Sequence, residues 1–162
     1  MSLSKVRKQI HNLDGRLNNA PLLRTIPVVL SDSKAKYLEQ TVSWSKHPEN
    51  KIFWWWEKGA DTQRQLNWLK SNLERKFHEL SSRHFTLYVW LGTCDLTEKS
   101  GLFIKLRSEG NDRVNHVCET YKEIYKFIAN FPTIKLVFLE LPYFSVYLDI
   151  LNLSNLELKI NF

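Results

Sequence analysis

Three short polar segments, each directly after an apolar run, hold the residues of this chain best suited to chemistry. Residues 31–33 read Ser-Asp-Ser, residues 58–62 read Lys-Gly-Ala-Asp-Thr, and residues 92–95 read Gly-Thr-Cys-Asp. A serine hydroxyl at a strand-to-helix turn is exposed and close to helix N–H groups, and further N–H donors nearby can stabilise an oxyanion. The sequence therefore raises acyl transfer as the chemistry to consider.

The segments are positioned by short strands that alternate with helices. Four apolar runs predict the strands: residues 26–30 (IPVVL), 51–56 (KIFWWW), 85–91 (FTLYVWL) and 134–139 (IKLVFL). Strands this short and this apolar are typical of a parallel sheet that is covered on both faces. The last eight residues, 155–162, alternate apolar and polar side chains and predict an edge strand.

Apolar residues at helical spacing predict the covering helices. The clearest helix begins after a cap at Asp61 or Thr62, a second runs from about residue 112 to residue 130, and a weaker one covers residues 34–45. In the second helix we expect Cys118 to lie on the apolar face, in the core. The stretch from residue 93 to residue 110 is predicted as a long loop with a short ordered insert.

This order predicts an α/β fold: a three-layer α/β/α sandwich around a parallel, flavodoxin-like sheet of about five strands. Residues 1–25 form a basic N-terminal segment, and residues 26–162 form the α/β domain. In such a sheet the ligand site lies at the carboxyl ends of the strands. All three polar segments fall there.

Taken together and in this order, the three segments resemble those of the SGNH hydrolase superfamily, the GDSL esterases and lipases. The resemblance covers about residues 26–142 and implies ester hydrolysis without a cofactor. It makes Ser33 the nucleophile, and it makes the Gly59 backbone N–H an oxyanion donor. It also matches residues 92–95 to the family's Gly-x-Asn-Asp, with Asp32, Gly92 and Asp95 as supporting residues. Asp32 and Asp95 as a metal pair is the less favoured alternative.

The chain departs from the family pattern at three points. Ser31 replaces a glycine, and Cys94 replaces the asparagine, so a strong amide donor to the oxyanion hole is lost. The family's C-terminal Asp-x-x-His has no counterpart, since no histidine follows His116. His116 is the candidate substitute base, with a helix-surface role as the alternative. We expect either a domain truncated at its C-terminus or one without its base, and hydrolysis that is weak or lost.

Composition narrows the class of protein. The 162 residues are 43% hydrophobic and 25% charged, so wholesale disorder is excluded. No apolar run is long enough to span a bilayer, the N-terminus does not read as a secretory signal, and two cysteines cannot form a four-ligand zinc site. We expect no metal, no membrane span and an intracellular location, cytoplasmic or nuclear.

The net charge of +6 is uneven: residues 1–51 contain nine Lys and Arg against four Asp and Glu. Such a segment can bind nucleic acid through its phosphates or be a solvated tail. The tryptophans at positions 54–56 favour core packing, with a stacking platform as the alternative. Three functions stay open. The chain is an SGNH-type hydrolase for a small ester substrate, a non-catalytic binding module for a protein or nucleic-acid partner, or an oligomerising domain.

Overall fold

A computed structural model describes residues 25–42, 52–80, 84–100 and 103–140. In these residues a four-stranded, fully parallel sheet forms the centre of the molecule. Its strands are β1 (Ile26–Ser31), β2 (Phe53–Trp56), β3 (Phe85–Trp90) and β6 (Ile134–Phe138). The strand order is β2-β1-β3-β6, which is the doubly wound, flavodoxin-like order with its switch point between β1 and β3.

Helices cover the sheet on both faces. Helix α1 (Lys34–Val42) follows β1, α2 (Thr62–Glu79) follows β2, and α4 (Asp112–Ile128) precedes β6. Trp55 packs on Trp68 of α2, with ring centroids 5.8 Å apart, whereas the next residue, Trp56, donates its indole N–H to Glu39 of α1 at 2.7 Å. Because adjacent strand residues point to opposite faces, α1 lies on one face of the sheet and α2 on the other. The three-layer α/β/α prediction is confirmed.

The main core lies between the sheet and the helices α2 and α4. Every second strand residue faces this layer, and the residues between them face the opposite, also covered side of the sheet, which is why the strands read as apolar runs. The fully buried members are Val28, Leu30, Leu66, Leu69, Phe85, Leu87, Val89, Leu91 and Ile124. Trp55, 7% exposed, belongs to the same cluster, so the core reading of this tryptophan is confirmed.

The described sheet has four strands rather than the five expected. The alternating segment predicted as a further strand, residues 155–162, lies outside the described residues, as does the basic segment up to residue 24. The four predicted strands are all present, each with bounds within two residues of the prediction. Among the described helices, none combines the length and apolar character that crossing a membrane would require.

The region predicted as a loop with a short insert has its own structure. It contains one helical turn, α3 (Thr93–Leu96), and an antiparallel hairpin of β4 (Thr97–Ser100) and β5 (Phe103–Leu106). An ion pair between Glu98 and Lys105, 3.1 Å long, joins the two strands. The short strands and the mostly polar residues of β4 explain why the sequence pattern suggested a loop.

The buried face of α4 is narrower than expected. Its buried residues are Val117, Thr120, Ile124 and Ile128. The prediction that Cys118 lies in the core is wrong, because its side chain is exposed. Cys118 follows Val117 by one residue, which turns it about 100° away from the sheet.

Candidate active site

The turn between β1 and α1 is shaped by Asp32. Its carboxylate Oδ1 accepts a hydrogen bond from the Lys34 backbone N–H at 2.9 Å, and its carbonyl accepts one from the Ala35 N–H at 3.2 Å. A side-chain oxygen that binds the N–H two residues later is the usual way in which aspartate starts a helix. Asp32 is only 1% exposed, so this turn is fixed from the protein interior.

Ser31 lies at a position where the backbone does not require a glycine. The residue is still part of strand β1, in extended backbone, so it needs no left-handed conformation. Its side chain is fully buried, and its hydroxyl donates to the Trp90 carbonyl at 2.8 Å. The Ser31 carbonyl in turn accepts from the Gln65 side chain at 3.0 Å and from the Glu57 N–H at 3.3 Å. Ser31 therefore ties the β1 turn to β3 and to the segment after β2.

Ser33 occupies the turn between Asp32 and the first residue of α1, at the carboxyl edge of the sheet. Its side chain is partly buried. Within the described residues its hydroxyl makes no hydrogen bond, unlike the hydroxyls of Ser31, Thr62 and Thr93 around it. A partly exposed hydroxyl with no hydrogen-bond partner among the described residues is a candidate to contact a ligand.

Lys34 is the residue of this region that the sequence analysis did not single out. Its ammonium lies 3.2 Å from Asp32 Oδ2, donates to the Thr93 hydroxyl, and sits 5.0 Å from the centroid of the Trp90 ring. Burial lowers the pKa of Lys34, and the Asp32 carboxylate opposes that shift only in part. A cation is unfavourable at the positive end of a helix dipole. A lysine as the first residue of a helix is therefore a signal in the sequence that other groups stabilise it at this position.

Cys94 points toward the same carboxylate. Its sulfur lies 3.8 Å from Asp32 Oδ2, toward which the thiol donates. Burial, reinforced by the negative charge of Asp32, raises the pKa of the Cys94 thiol to about 11. Since the thiolate is the reactive form, Cys94 is a poor nucleophile at neutral pH.

Asp95 connects the third segment to the second. It is 4% exposed, and its carboxylate accepts from the Thr62 N–H at 3.0 Å and from the Thr62 hydroxyl at 2.8 Å. Thr62 is the first residue of α2, whose other capping bond comes from Asp61, 2.8 Å from the Arg64 N–H. Neither Asp32 nor Asp95 lies in a group of three metal-binding side chains within the residues described. Asp32 instead contacts Lys34 and Cys94, and Asp95 contacts Thr62.

Two glycines in these segments have left-handed backbone. Gly59, with φ of 69°, is exposed, and an added Cβ there would meet nothing within 4 Å. Gly92, with φ of 108°, is buried where β3 leads into α3. Both conformations are strained for other residues, so backbone shape explains each glycine.

His116 lies toward the edge of the sheet at which Ser33 lies, the edge formed by the carboxyl ends of the strands. Helix α4 runs antiparallel to the strands, and Tyr121 on it donates its hydroxyl to the Leu91 carbonyl at 2.9 Å, just past the end of β3. His116 precedes Tyr121 by five residues, about 7.5 Å of helix rise farther toward the carboxyl edge. Its side chain is exposed. His78 and His84 lie near the amino ends of the strands instead.

The structure thus brings two of the three segments around one carboxylate and joins the third through Thr62. Asp32 is shared by Lys34 and Cys94, and Thr93 completes the contact between the first and third segments. The result is a partly exposed hydroxyl next to a partly buried cation. The second segment is also joined to the first by the backbone N–H of Glu57, two residues before Gly59, which donates to the Ser31 carbonyl.

Comparison with known proteins adds one distant likeness. No protein-family model matches the chain, and no curated protein matches it. A solved structure described as "a putative platelet activating factor" from Streptococcus pneumoniae matches with a TM-score of 0.44 and 17% identity. The match covers 86% of this chain and 56% of that protein, so the chain spans little more than half of that protein's length. At this level the likeness carries no statement about activity.

Proposed function

We propose that residues 26–140 form the core of an SGNH-like ester hydrolase, with Ser33 as the nucleophile. The observation that carries this proposal is the Ser33 hydroxyl itself. It lies at the β1–α1 turn, at the switch point of a doubly wound sheet, and has no hydrogen-bond partner within the described residues. The other hydroxyls of the surrounding segments are all engaged in holding the loops together.

In the proposed reaction the Ser33 oxygen attacks the carbonyl carbon of a small ester, and the carbonyl electron pair moves onto its oxygen. The serine proton passes to a general base, and collapse of the intermediate releases the alcohol. Water then hydrolyses the acyl-serine to the acid. His116 is our candidate for the base, because it is the histidine among those described that lies on the carboxyl side of the sheet. The backbone N–H groups of Ser33 and Gly59 are the proposed oxyanion donors.

A steady-state assay with a short-chain p-nitrophenyl ester tests the proposal. We expect Ser33→Ala to reduce hydrolysis to the rate of buffer, while Ser71→Ala, on the exposed surface of α2, keeps it. His116→Ala tests the base assignment separately. Without its general base Ser33 should still be acylated, but slowly. Equal rates for the protein and for Ser33→Ala would refute the role of Ser33.

A non-catalytic binding module is the second candidate, and one observation favours it. Cys94 stands where the family has its amide donor, and its thiol points to Asp32 rather than to the nucleophile. In this reading the same edge binds a partner without turning it over. Single-stranded nucleic acid, recruited by the basic residues 1–25, is the partner that the charge distribution favours. Binding that weakens steeply with added salt would support this version, and a flat salt dependence would remove it.

A further inference from the structure

The cation at the carboxyl edge occupies an unusual position. Lys34 is the first residue of α1, and its side chain is only 17% exposed although it carries a charge. A cation is unfavourable at the N-terminal end of a helix, and burial adds to that cost. The ion pair with Asp32, whose side chain is 1% exposed, offsets part of it. Asp32, however, also accepts from the Lys34 backbone N–H and faces the Cys94 thiol.

The hydrogen-bond capacity of the ammonium is not used up. An ammonium has three N–H donors. One faces Asp32 and a second the Thr93 hydroxyl, while the Trp90 ring lies 5.0 Å away. Within the described residues no acceptor takes the third donor. A charged donor with one N–H that has no acceptor within the described residues, held between fixed partners, is preorganised for a negatively charged oxygen.

The Lys34 ammonium lies close to Cys94, the residue that replaces an amide donor of the SGNH pattern. The ammonium and the Cys94 sulfur both lie around one oxygen, Asp32 Oδ2, at 3.2 Å and 3.8 Å. Cys94 stands where the family has an amide that donates to the oxyanion, and a thiol is a weak donor. A charge-assisted hydrogen bond is about twice as strong as a neutral one. Lys34 therefore lies beside the residue that stands in for the amide, and it is a stronger donor than that residue's thiol.

We propose that Lys34 is a further oxyanion donor of this site, beside the backbone N–H groups of Ser33 and Gly59, with its third N–H bound to the oxygen that becomes negative when Ser33 attacks. The inference rests on the proposed role of Ser33. In the attack the serine oxygen bonds to the carbonyl carbon, and the carbonyl π electrons move onto the carbonyl oxygen. The lysine donates a hydrogen bond to that oxygen and keeps its proton throughout. Asp32 and Thr93 are positioning residues that hold the ammonium in place.

The rate at which a fluorophosphonate labels Ser33 measures this contribution, because the phosphonyl oxygen occupies the oxyanion position. In labelling, the serine oxygen bonds to phosphorus, fluoride leaves, and the serine proton passes to the general base, for which His116 is our candidate. We expect Lys34→Met to slow labelling about 100-fold or more, and Lys34→Arg, which keeps the charge, to slow it far less. Lys36→Met is the matched control on the exposed side of α1 and should label at the native rate. Circular dichroism checks folding, and Lys34→Gln replaces Lys34→Met if that variant does not fold.

A second measurement separates this inference from the proposed function. In Ser33→Ala, which cannot be labelled, inorganic phosphate is titrated while the backbone ¹⁵N–¹H signals of Thr93 and Gly59 are followed. We expect saturable chemical-shift changes in Ser33→Ala. The double variant that also carries Lys34→Met should not show them. Native labelling in Lys34→Met and Lys34→Gln would overturn the inference and leave Ser33 as nucleophile. Absent labelling in the native protein, with phosphate shifts that depend on Lys34, would refute the nucleophile and retain the anion site.

Discussion

The carboxylate of Asp95 accepts hydrogen bonds from both the N–H and the hydroxyl of Thr62, a residue 33 positions earlier in the chain. Both residues are almost fully buried. The pair fixes the start of α2 to the helical turn after β3, at the edge of the sheet where Ser33 lies. Through this contact Asp95 holds two segments of the fold together.

Removal of this carboxylate should therefore destabilise the protein. In Asp95→Ala two buried donors of Thr62 lose their acceptor, and we expect a loss of about 2–4 kcal/mol in the free energy of unfolding. Asp61→Ala, which removes the exposed cap of the same helix, is the control and should cost about 1 kcal/mol. Urea denaturation measures both. A smaller loss for Asp95→Ala than for Asp61→Ala would contradict the structural role of Asp95.

The two cysteines should differ in reactivity. Because the pKa of Cys94 is raised to about 11, only about 0.1% of it is thiolate at pH 8. We expect iodoacetamide to modify the exposed Cys118 at pH 8 and to leave Cys94 largely intact. In Cys118→Ser the rate at Cys94 should rise about tenfold per pH unit until the pH approaches 11. Rapid modification of Cys94 at pH 8 in the folded protein would show that its thiol is not held as described.

Tyr121 should make the protein sensitive to alkaline pH. Burial raises its pKa to about 12 from an ordinary value of 10.0. Between these values the unfolded chain loses the tyrosine proton and the folded protein keeps it, so the free energy of unfolding falls as the pH rises. Tyr121→Phe lacks this proton and should not show its share of the decrease. Urea denaturation from pH 9 to pH 11.5 measures the free energy of unfolding of the native protein and of Tyr121→Phe. The advantage of the native protein should shrink as the pH rises, and a constant difference would contradict the raised pKa.

At Gly59 there is room for a side chain, but the backbone conformation disfavours one. Gly59→Ala places a Cβ in open solvent, yet φ of 69° is strained for alanine and should cost about 1–2 kcal/mol. Gly59→Asn should cost less, because asparagine accepts left-handed backbone. Gly110→Ala is the control, with an added Cβ in ordinary contact with the Ser108 hydroxyl at 3.7 Å. Equal losses at both glycines would argue against strain at Gly59.

Much of the fold follows from local patterns in the sequence. The buried strands read as apolar runs because both faces of the sheet are covered, and α2 shows a continuous apolar stripe behind its Asp61 cap. The hairpin β4–β5 was not predicted, since its strands are short and β4 is mostly polar. Cys118 was misplaced because a one-residue step around α4 decides between core and solvent.

Sequence motifs could suggest only part of the candidate site. Ser33, Gly59 and residues 92–95 were predicted as site residues from their place after the strands, and their roles stay predictions. Lys34 was not, because its meaning depends on contacts with Thr93 and Trp90, almost 60 residues away. Such contacts follow from the parallel pairing of β1 with β3, which sets Ser31 opposite Trp90.

Peptide mapping by tandem mass spectrometry after treatment with a fluorophosphonate tests the central claim most directly. We predict one covalent phosphonyl adduct in the folded protein, on Ser33, absent from Ser33→Ala and from protein unfolded in urea. An adduct on another serine, or no adduct in protein that circular dichroism shows to be folded, would contradict the assignment of Ser33 as the nucleophile.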